Sequence, residues 1–289
     1  MPIKKSELIL NKDGGIYHLN LRPEHISNTI IFVGDQDRVD QITTHFDHIE
    51  FSTQKREFKT TTGLYKGKRL TVQSTGIGPD NIDIVLNELD ALVNIDFKTR
   101  EIKSNHTALN IIRIGTSGSL QADIPVDSFL LSSHAIDLNG MLQAYKIDEI
   151  AHPEIERAFI SQTNWSEKKA DPLVISNSSS LANKMMSNII YTGITATAGG
   201  FYGPQGRVLR LALQDAQLNS KIDSFNYKEH RITNLEMETS AIYGLAKLLG
   251  HNAVSMNAIL ANRVNGTFSK NPSKVIEELI KYTLEKIVE

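Results

Sequence analysis

The sequence predicts an α/β fold with three layers, in which helices cover both faces of a mostly parallel or mixed central sheet. Short apolar runs alternate with amphipathic helical patterns along the whole chain, as such a fold requires. The composition, with 40% hydrophobic and 22% charged residues among 289, is typical of a soluble globular protein. No linker, repeat or low-complexity segment divides the chain, so we expect a single domain over residues 1–289.

The first half of the chain carries two strand signals and one strong helix signal. The apolar run at residues 29–33 predicts a buried strand that ends at Gly34. The run at residues 69–72 predicts a second strand, which leads into the glycine turn of residues 74–78. Pro79 suits the first position of a helix. Apolar residues then recur at steps of three and four, at Ile82, Val85, Leu86, Leu89, Leu92 and Val93.

The second half alternates in the same way. Apolar runs predict further strands at residues 110–114, 128–135, 194–198 and 253–261. Gly115 is expected to end the first of these strands. A helix is predicted at residues 238–249, closed by Gly250, and the C-terminal helix begins at Asn271-Pro272. The polar stretches 96–105 and 215–230 are interpreted as surface excursions.

Composition and charge exclude several classes of function. Lys and Arg total 31 and Asp and Glu total 33, so the net charge is 31 − 33 = −2, which argues against a protein that coats nucleic acid. The absence of cysteine excludes thiol catalysis, disulfides and zinc–thiolate sites. No apolar run approaches the ~18 residues of a membrane span, and no secretory signal is recognisable. We therefore expect a cytoplasmic protein without a membrane partner.

Polar groups follow the predicted strands at the edge where α/β sheets bind ligands. The first strand is followed by Gly34 and Arg38, and the second by the glycine turn. The third carries Arg113 ahead of residues 115–118, and the last is followed by Arg263. Guanidinium groups, hydroxyls and exposed backbone N–H groups on one rim are suited to an oxyanion such as phosphate.

Several of these residues have a structural reading beside the functional one. Arg113 lies inside an apolar run and needs a buried partner, which is either a bound anion or an internal carboxylate. Arg38 alone would suit a helix surface, and His18 alone would suit the protein surface. Glu238 alone would suit the positive end of a helix dipole. The turn at Gly76 lacks the full G-x-G-x-x-G pattern of a dinucleotide site.

Taken together, the motifs resemble the nucleoside phosphorylases of the uridine phosphorylase type, within the phosphorylase/hydrolase-like fold. The resemblance runs from about His18 to the C-terminal helix and rests on eight segments in order. They are Tyr17-His18-Leu19, Val33-Gly34-Asp35 with Arg38-Val39, Arg56-Glu57-Phe58, Ser74-Thr75-Gly76-Ile77-Gly78, Ile112-Arg113-Ile114-Gly115-Thr116-Ser117-Gly118, Phe201-Tyr202 with Gln205 and Arg207, Glu236-Met237-Glu238, and Asn262-Arg263.

The resemblance implies a role for each matching residue. The phosphate site would comprise Gly34, Arg38, Arg113 and Thr116, with Arg56 reaching in from a neighbouring subunit. The nucleoside site would comprise Thr116, Ser117, Phe201, Gln205, Arg207, Glu236, Met237, Glu238 and Arg263, with His18 lent by the neighbour. Of these, Arg38, Arg113, Arg207 and Glu238 would carry the catalysis.

The implied reaction is phosphorolysis of a pyrimidine nucleoside, most naturally uridine, to the free base and ribose 1-phosphate. No organic cofactor is implied, because phosphate is a substrate. Since His18 and Arg56 would complete a neighbour's site, the resemblance implies a dimer at minimum and a hexamer by analogy. A monovalent cation at the dimer interface, near Glu57 and Ser74, is an option that the resemblance leaves open.

Three rival interpretations remain. Purine-specific members of the fold use an Asp near the position of Asn262-Arg263, where this chain has no acid. A nucleosidase, which uses water, would not need the arginines Arg38, Arg56 and Arg113. A catalytically inert nucleoside-binding paralogue is supported only by the altered segment at residues 208–219.

Overall fold

The computed structural model describes residues 2–289, which form fourteen strands and seven α-helices. The strands are β1 Thr29–Val33, β2 His48–Lys55, β3 Phe58–Tyr65, β4 Lys68–Ser74, β5 Ile95–Asp96, β6 Glu101–Ile102, β7 Asn110–Ser119, β8 Phe129–Asp137, β9 Leu173–Ser176, β10 Ile190–Thr197, β11 Asn226–Tyr227, β12 His230–Glu236, β13 Asn252–Asn262 and β14 Thr267–Phe268. The helices are α1 Gln36–Thr43, α2 Pro79–Asn94, α3 Pro153–Thr163, α4 Ser179–Met185, α5 Leu218–Asp223, α6 Thr239–Leu248 and α7 Pro272–Val288.

One sheet of twelve strands runs through the molecule in the order β11-β12-β10-β8-β13-β7-β1-β4-β3-β2, with β9 beside β8 and β14 beside β13. The sheet is mixed: β1 is parallel to β4 and β7, whereas β3 is antiparallel to β2 and β4. A further antiparallel pairing joins β12 to β7, so that β7, β13, β8, β10 and β12 close into a ring. The predicted fold class is confirmed.

Helices cover both faces of the sheet, because its central strands are apolar on both sides. On β1, Ile30 and Phe32 belong to the core beneath α2 and α6, whereas Ile31 and Val33 belong to the core beneath α1 and α7. A third core joins α3 and α5 to the β10–β12 end of the sheet. This alternation of side chains along a strand explains why the run at residues 29–33 is apolar throughout.

The predicted helix boundaries agree closely with the structure. Helix α2 begins at Pro79, and Asn271 caps α7 by accepting a hydrogen bond from the backbone N–H of Lys274. Gly250 follows the end of α6 with a φ of 75°, the left-handed conformation that glycine adopts easily. Residues 2–289 contain no helix that is both long enough and apolar enough to cross a membrane.

The prediction that Gly115 ends its strand was wrong, since β7 continues to Ser119. A Cβ atom at Gly115 would lie 1.9 Å from Nη1 of Arg113. Gly115 therefore provides the space in which the guanidinium group of Arg113 lies, and it does not interrupt the strand. The polar stretch 215–230, which was interpreted as a surface excursion, also differs from that interpretation. It contains α5 and β11, and it buries Leu218 and Ile222.

Candidate active site

A cavity of about 950 Å³ lies where several strands of the sheet end. Its lining includes residues that follow β1, β4 and β12, and residues of β7 and β13 themselves. Its volume falls within the range of small-molecule sites, about 300–1,000 Å³. Eleven of the predicted phosphate- and nucleoside-binding residues line it: Gly34, Arg38, Arg113, Thr116, Ser117, Phe201, Gln205, Arg207, Glu236, Met237 and Glu238.

One wall of the cavity is a buried cluster of one arginine and two carboxylates. Nη2 of Arg113 lies 2.6 Å from Oε2 of Glu238 and 3.1 Å from Oε2 of Glu236. Nη1 of Arg113 donates to Oδ1 of Asn257 at 3.0 Å. The internal ion pair offered as one reading of Arg113 is thus present, and the same residue also borders the cavity.

The two carboxylates of this cluster have different roles. Glu236 accepts hydrogen bonds from the backbone N–H groups of Glu238 and Thr239 and from the Thr197 hydroxyl, so it serves the N-terminus of α6. Glu238 occupies the cap position, but its side chain accepts from the Gly78 N–H at 2.9 Å and points to Arg113 instead. The helix-terminus role considered for Glu238 therefore falls to Glu236.

Burial and mutual charge shift the pKa values of this cluster. Burial alone would lower the pKa of Arg113, but the carboxylates of Glu236 and Glu238 outweigh it, and the pKa is raised. Burial raises the pKa of Glu238, and the nearby Glu236 carboxylate adds to that rise against the pull of Arg113. Glu238 is therefore easier to protonate than an ordinary glutamate.

Arg38 brings a second guanidinium group to the same cavity. It lies on the first turn of α1, and Nη1 donates only a long hydrogen bond of 3.5 Å to the Ile114 carbonyl. Its Nε is buried and has no partner within residues 2–289. Burial lowers the pKa of Arg38, and the neighbouring Arg113 lowers it further. A half-buried cation whose hydrogen bonds are incomplete indicates a place for an anion.

The opposite end of the cavity is formed by one short segment. The guanidinium carbon of Arg207 lies 3.9 Å from the centre of the Phe201 ring. Arg207 also donates to the Phe201 carbonyl at 2.6 Å and to Oε1 of Gln205. Behind this segment, Arg263 donates to the Gln205 carbonyl at 2.7 Å, so Arg263 supports the wall and does not line the cavity.

Two predicted site residues lie away from the cavity of their own chain. His18 borders a separate cavity of about 250 Å³, where its Nδ1 lies 2.6 Å from Oε1 of Glu88. Arg56 is exposed at the turn between β2 and β3, with a φ of 57°. The Ser74 hydroxyl donates to the Glu57 backbone carbonyl at 2.7 Å, while Glu57 itself lines the main cavity.

Sequence reasoning missed several residues of this region. Asn81, Leu260 and Phe268 line the cavity, and only Asn81 had a signal, its place just after a glycine turn. Asn234 and Asn257 lie fully buried in strands next to the site. Asn257 lies inside the apolar run of β13 and needs hydrogen-bond partners, so it could have been identified from the sequence. Asn234 had no such signal, because the sequence of β12 is mostly polar.

The chain matches known proteins along nearly its whole length. The sequence model of the Phosphorylase superfamily matches residues 28–287. The uridine phosphorylase of Thermococcus kodakarensis is 28% identical, over 95% of this chain and 88% of the relative. A purine nucleoside phosphorylase, DeoD-type, of Alkaliphilus metalliredigens is 26% identical, over 93% and 97%. A solved nucleoside phosphorylase of Trypanosoma brucei, described as showing uridine phosphorylase activity, is 30% identical, with a TM-score of 0.88 over 97% of this chain and 99% of that one.

Proposed function

The chain belongs to the phosphorylase superfamily, and on that premise we propose that it is a nucleoside phosphorylase of the uridine phosphorylase type, a pentosyltransferase. It cleaves the bond between C1′ and the base of uridine with inorganic phosphate and yields uracil and ribose 1-phosphate. The observation that carries this proposal is the presence of Arg38 and Arg113 beside Glu238 in one cavity. The family resemblance found in the sequence is confirmed by the matches.

The phosphate end of the cavity would hold the nucleophile. Arg38, with its unpartnered Nε, and the N–H groups near Gly34 and Thr116 are suited to a dianion. A phosphate oxygen forms a bond to C1′ as the C1′–N bond breaks, through an oxocarbenium-like transition state. The fixed carboxylate of Glu238 would bind the ribose hydroxyls next to that carbon. No covalent protein nucleophile is needed, because phosphate itself attacks C1′ and the site orients the reactants.

The other end would hold the base. The electron pair of the broken C1′–N bond passes to uracil and spreads onto its carbonyl oxygens. Arg207, which Phe201 and Gln205 hold in place, can stabilise that charge by donating hydrogen bonds. Gln205 offers both a donor and an acceptor, as recognition of the uracil edge requires.

The arrangement of Asn262 supports pyrimidine over purine specificity. Its Nδ2 donates to the carbonyls of Gln121 and Ile124, and its Oδ1 accepts from the N–H groups of Val264 and Asn265. The side chain is therefore fully engaged within the protein and offers neither an acid nor a free donor to a purine ring.

Product analysis with purified protein tests this proposal. We expect equimolar uracil and ribose 1-phosphate from uridine and phosphate, measured by chromatography and ³¹P NMR, with inosine converted far more slowly. Free ribose as the product would indicate a nucleosidase, and faster turnover of inosine would indicate a purine enzyme. Binding of uridine without turnover would indicate an inert paralogue.

His18 and Arg56 extend the proposal to quaternary structure. Since neither lines the cavity of its own chain, we propose that each completes the site of a neighbour, in a dimer at minimum and in a hexamer of three dimers. Mixing and reassembling the variants His18→Ala and Arg113→Ala should then restore activity, because some hybrid sites contain neither substitution. Failure of the reassembled mixture to exceed the sum of the separate variants would contradict shared sites.

The remaining expectations concern cofactors and location. We propose that the reaction needs no organic cofactor and that the protein works in the cytoplasm. A monovalent cation at the dimer interface near Glu57 and Ser74 stays a prediction, which the dependence of activity on K⁺ or Na⁺ concentration tests.

A further inference from the structure

A chain of buried hydrogen bonds joins the two ends of the cavity through the protein. It follows the closed ring of strands and takes one step on each: β7, β13, β8, β10, β12 and again β7. Its members are Arg113, Asn257, Ser132, Thr195, Asn234 and Ser117. The four members between Arg113 and Ser117 are completely buried.

The direction of the first two bonds is fixed by chemistry. A guanidinium group can only donate, so the side-chain atom of Asn257 at 3.0 Å from Arg113 is its oxygen. The Asn257 amide nitrogen therefore faces Ser132 and donates to that hydroxyl at 3.3 Å. Because Ser132 has accepted this bond, its own hydrogen needs another acceptor.

The directions of the remaining bonds follow because the hydrogen of the Ser132 hydroxyl needs an acceptor. The only other side-chain partner of its hydroxyl within residues 2–289 is Oγ1 of Thr195, at 2.5 Å. If Thr195 donated to Ser132 instead, the buried Ser132 hydrogen would be left unpaired, which is unfavourable. Thr195 therefore accepts from Ser132 and donates to Oδ1 of Asn234 at 2.8 Å.

The last bond determines what the cavity presents to a ligand. With its oxygen turned to Thr195, Asn234 donates from Nδ2 to the Ser117 hydroxyl at 2.9 Å. Ser117 lines the cavity, and among residues 2–289 no acceptor receives its hydrogen. The Ser117 hydroxyl is thus held as a donor toward the cavity.

The position of Ser117 indicates which part of the ligand it meets. The next residue, Gly118, packs against the side chain of Arg263, since a Cβ at Gly118 would lie 3.7 Å from it. Arg263 in turn donates to the carbonyl of Gln205 at the end of the cavity assigned to the base.

We propose that Asn234 is a positioning residue that makes Ser117 an obligate hydrogen-bond donor to a carbonyl oxygen of the base. This inference rests on the proposed function, since it refines how that function's site selects its nucleoside. It assigns Asn257, Ser132 and Thr195 the task of keeping the Asn234 amide in one orientation.

The variant Asn234→Asp tests the direction of these hydrogen bonds, because it replaces the donating amide with a carboxylate of almost the same shape. An ionised carboxylate accepts from both Thr195 and Ser117, which turns the Ser117 hydrogen away from the ligand. We expect kcat/KM for uridine to fall at least about tenfold at pH 9, relative to the native protein. As pH is lowered toward 5.5, the new carboxyl gains a proton that it can donate, so the ratio of variant to native activity should recover.

Three further substitutions, two of which enter double variants, make the test specific. Ser117→Ala should cause a loss of similar size, and adding Asn234→Asp to it should cause no further loss. Thr233→Val is the matched control, because Thr233 also bonds Oδ1 of Asn234 but lies outside the chain of hydrogen bonds. It should retain native kcat/KM. If Asn234→Asp does not fold, Thr195→Val should give a smaller loss that disappears in the Ser117→Ala background.

Two kinds of measurement separate this inference from the proposed function. Turnover tests the function, whereas calorimetric measurement of the affinities for uridine and free uracil tests whether Ser117 contacts the base. Absence of phosphate-dependent turnover in the native protein would refute the function. The inference is overturned if the Asn234→Asp and Ser117→Ala losses multiply, or if the Asn234→Asp loss is absent or constant with pH. It is also overturned if Ser117→Ala leaves the affinity for free uracil unchanged, since Ser117 would then not contact the base.

Discussion

The two ends of the cavity are built from different kinds of contact. At the end proposed to bind phosphate, Arg113 on β7 meets Glu236 and Glu238 from β12 and the start of α6, in a buried cluster that borders the cavity. At the end proposed to bind the base, Phe201, Gln205 and Arg207 come from one segment of seven residues, and Phe201 is 51% exposed. The first end is part of the core, whereas the second is an appended wall. Substitutions in the ion-pair cluster should therefore affect stability and activity together, whereas substitution of Arg207 in the wall should affect activity with little change in stability.

Arg113→Ala is expected to have the largest effect. It removes a cavity guanidinium and leaves two buried carboxylates without their cationic partner, which typically costs about 3–5 kcal/mol of folding free energy. We expect loss of phosphate-dependent turnover together with a clear fall in the free energy of unfolding, measured by urea denaturation.

Arg38→Ala is the matched control for this variant. It removes the other cavity guanidinium, which makes no ion pair within the described chain, so turnover should fall with a much smaller loss of stability. Full activity of Arg113→Ala would show that the phosphate site has been misplaced.

Arg207→Ala should separate activity from stability. Removal of a donor that stabilises charge in the transition state typically costs about 2.7–4 kcal/mol, which corresponds to a fall in kcat of about 10²–10³. Because the side-chain hydrogen bonds of Arg207 all go to its own segment, the free energy of unfolding should change by less than about 0.5 kcal/mol. A loss of stability comparable with that of Arg113→Ala would refute the distinction between core and wall.

The smallest expected effect concerns pH. The pH dependence of kcat/KM, which involves Glu238, should differ from that of the affinity for free uracil, which involves only the base end. Burial raises the pKa of Glu238, so its carboxylate gains a proton at a higher pH than an ordinary glutamate. The protonated form cannot accept hydrogen bonds from two ribose hydroxyls, so kcat/KM should fall as pH decreases through that raised pKa. The base end has no such carboxylate, and the affinity for free uracil should stay constant over the same range. Equal pH dependence of both quantities would contradict the assignment of Glu238 to the ribose.

Local signals in the sequence predicted much of the framework. The apolar run of β1, the proline at the start of α2 and the asparagine cap of α7 act within a few residues, and all three appear where expected. The β2–β3 hairpin was missed because its first strand, His48–Lys55, is polar and mostly exposed. Gly115 was misread as the end of a strand because its purpose depends on the path of the Arg113 side chain.

In the candidate site, too, local signals could be read from the sequence, whereas contacts between distant residues could not. Arg113 could be selected because an arginine in an apolar run needs a partner, but the identity of that partner depends on pairing between residues far apart in the sequence. The bonds from Asn257 to Ser117 depend on the closure of five strands into a ring, which no local pattern records.

The initial rate of uracil release from uridine, measured as phosphate is raised from zero, tests the central claim most directly. If Arg38 and Arg113 hold phosphate as the nucleophile, the rate of uracil release should be negligible without phosphate and should rise to saturation as phosphate is added. The same titration of Arg38→Ala should require a higher phosphate concentration for half-saturation. Uracil release that proceeds at the same rate without phosphate would contradict the proposed phosphorolysis.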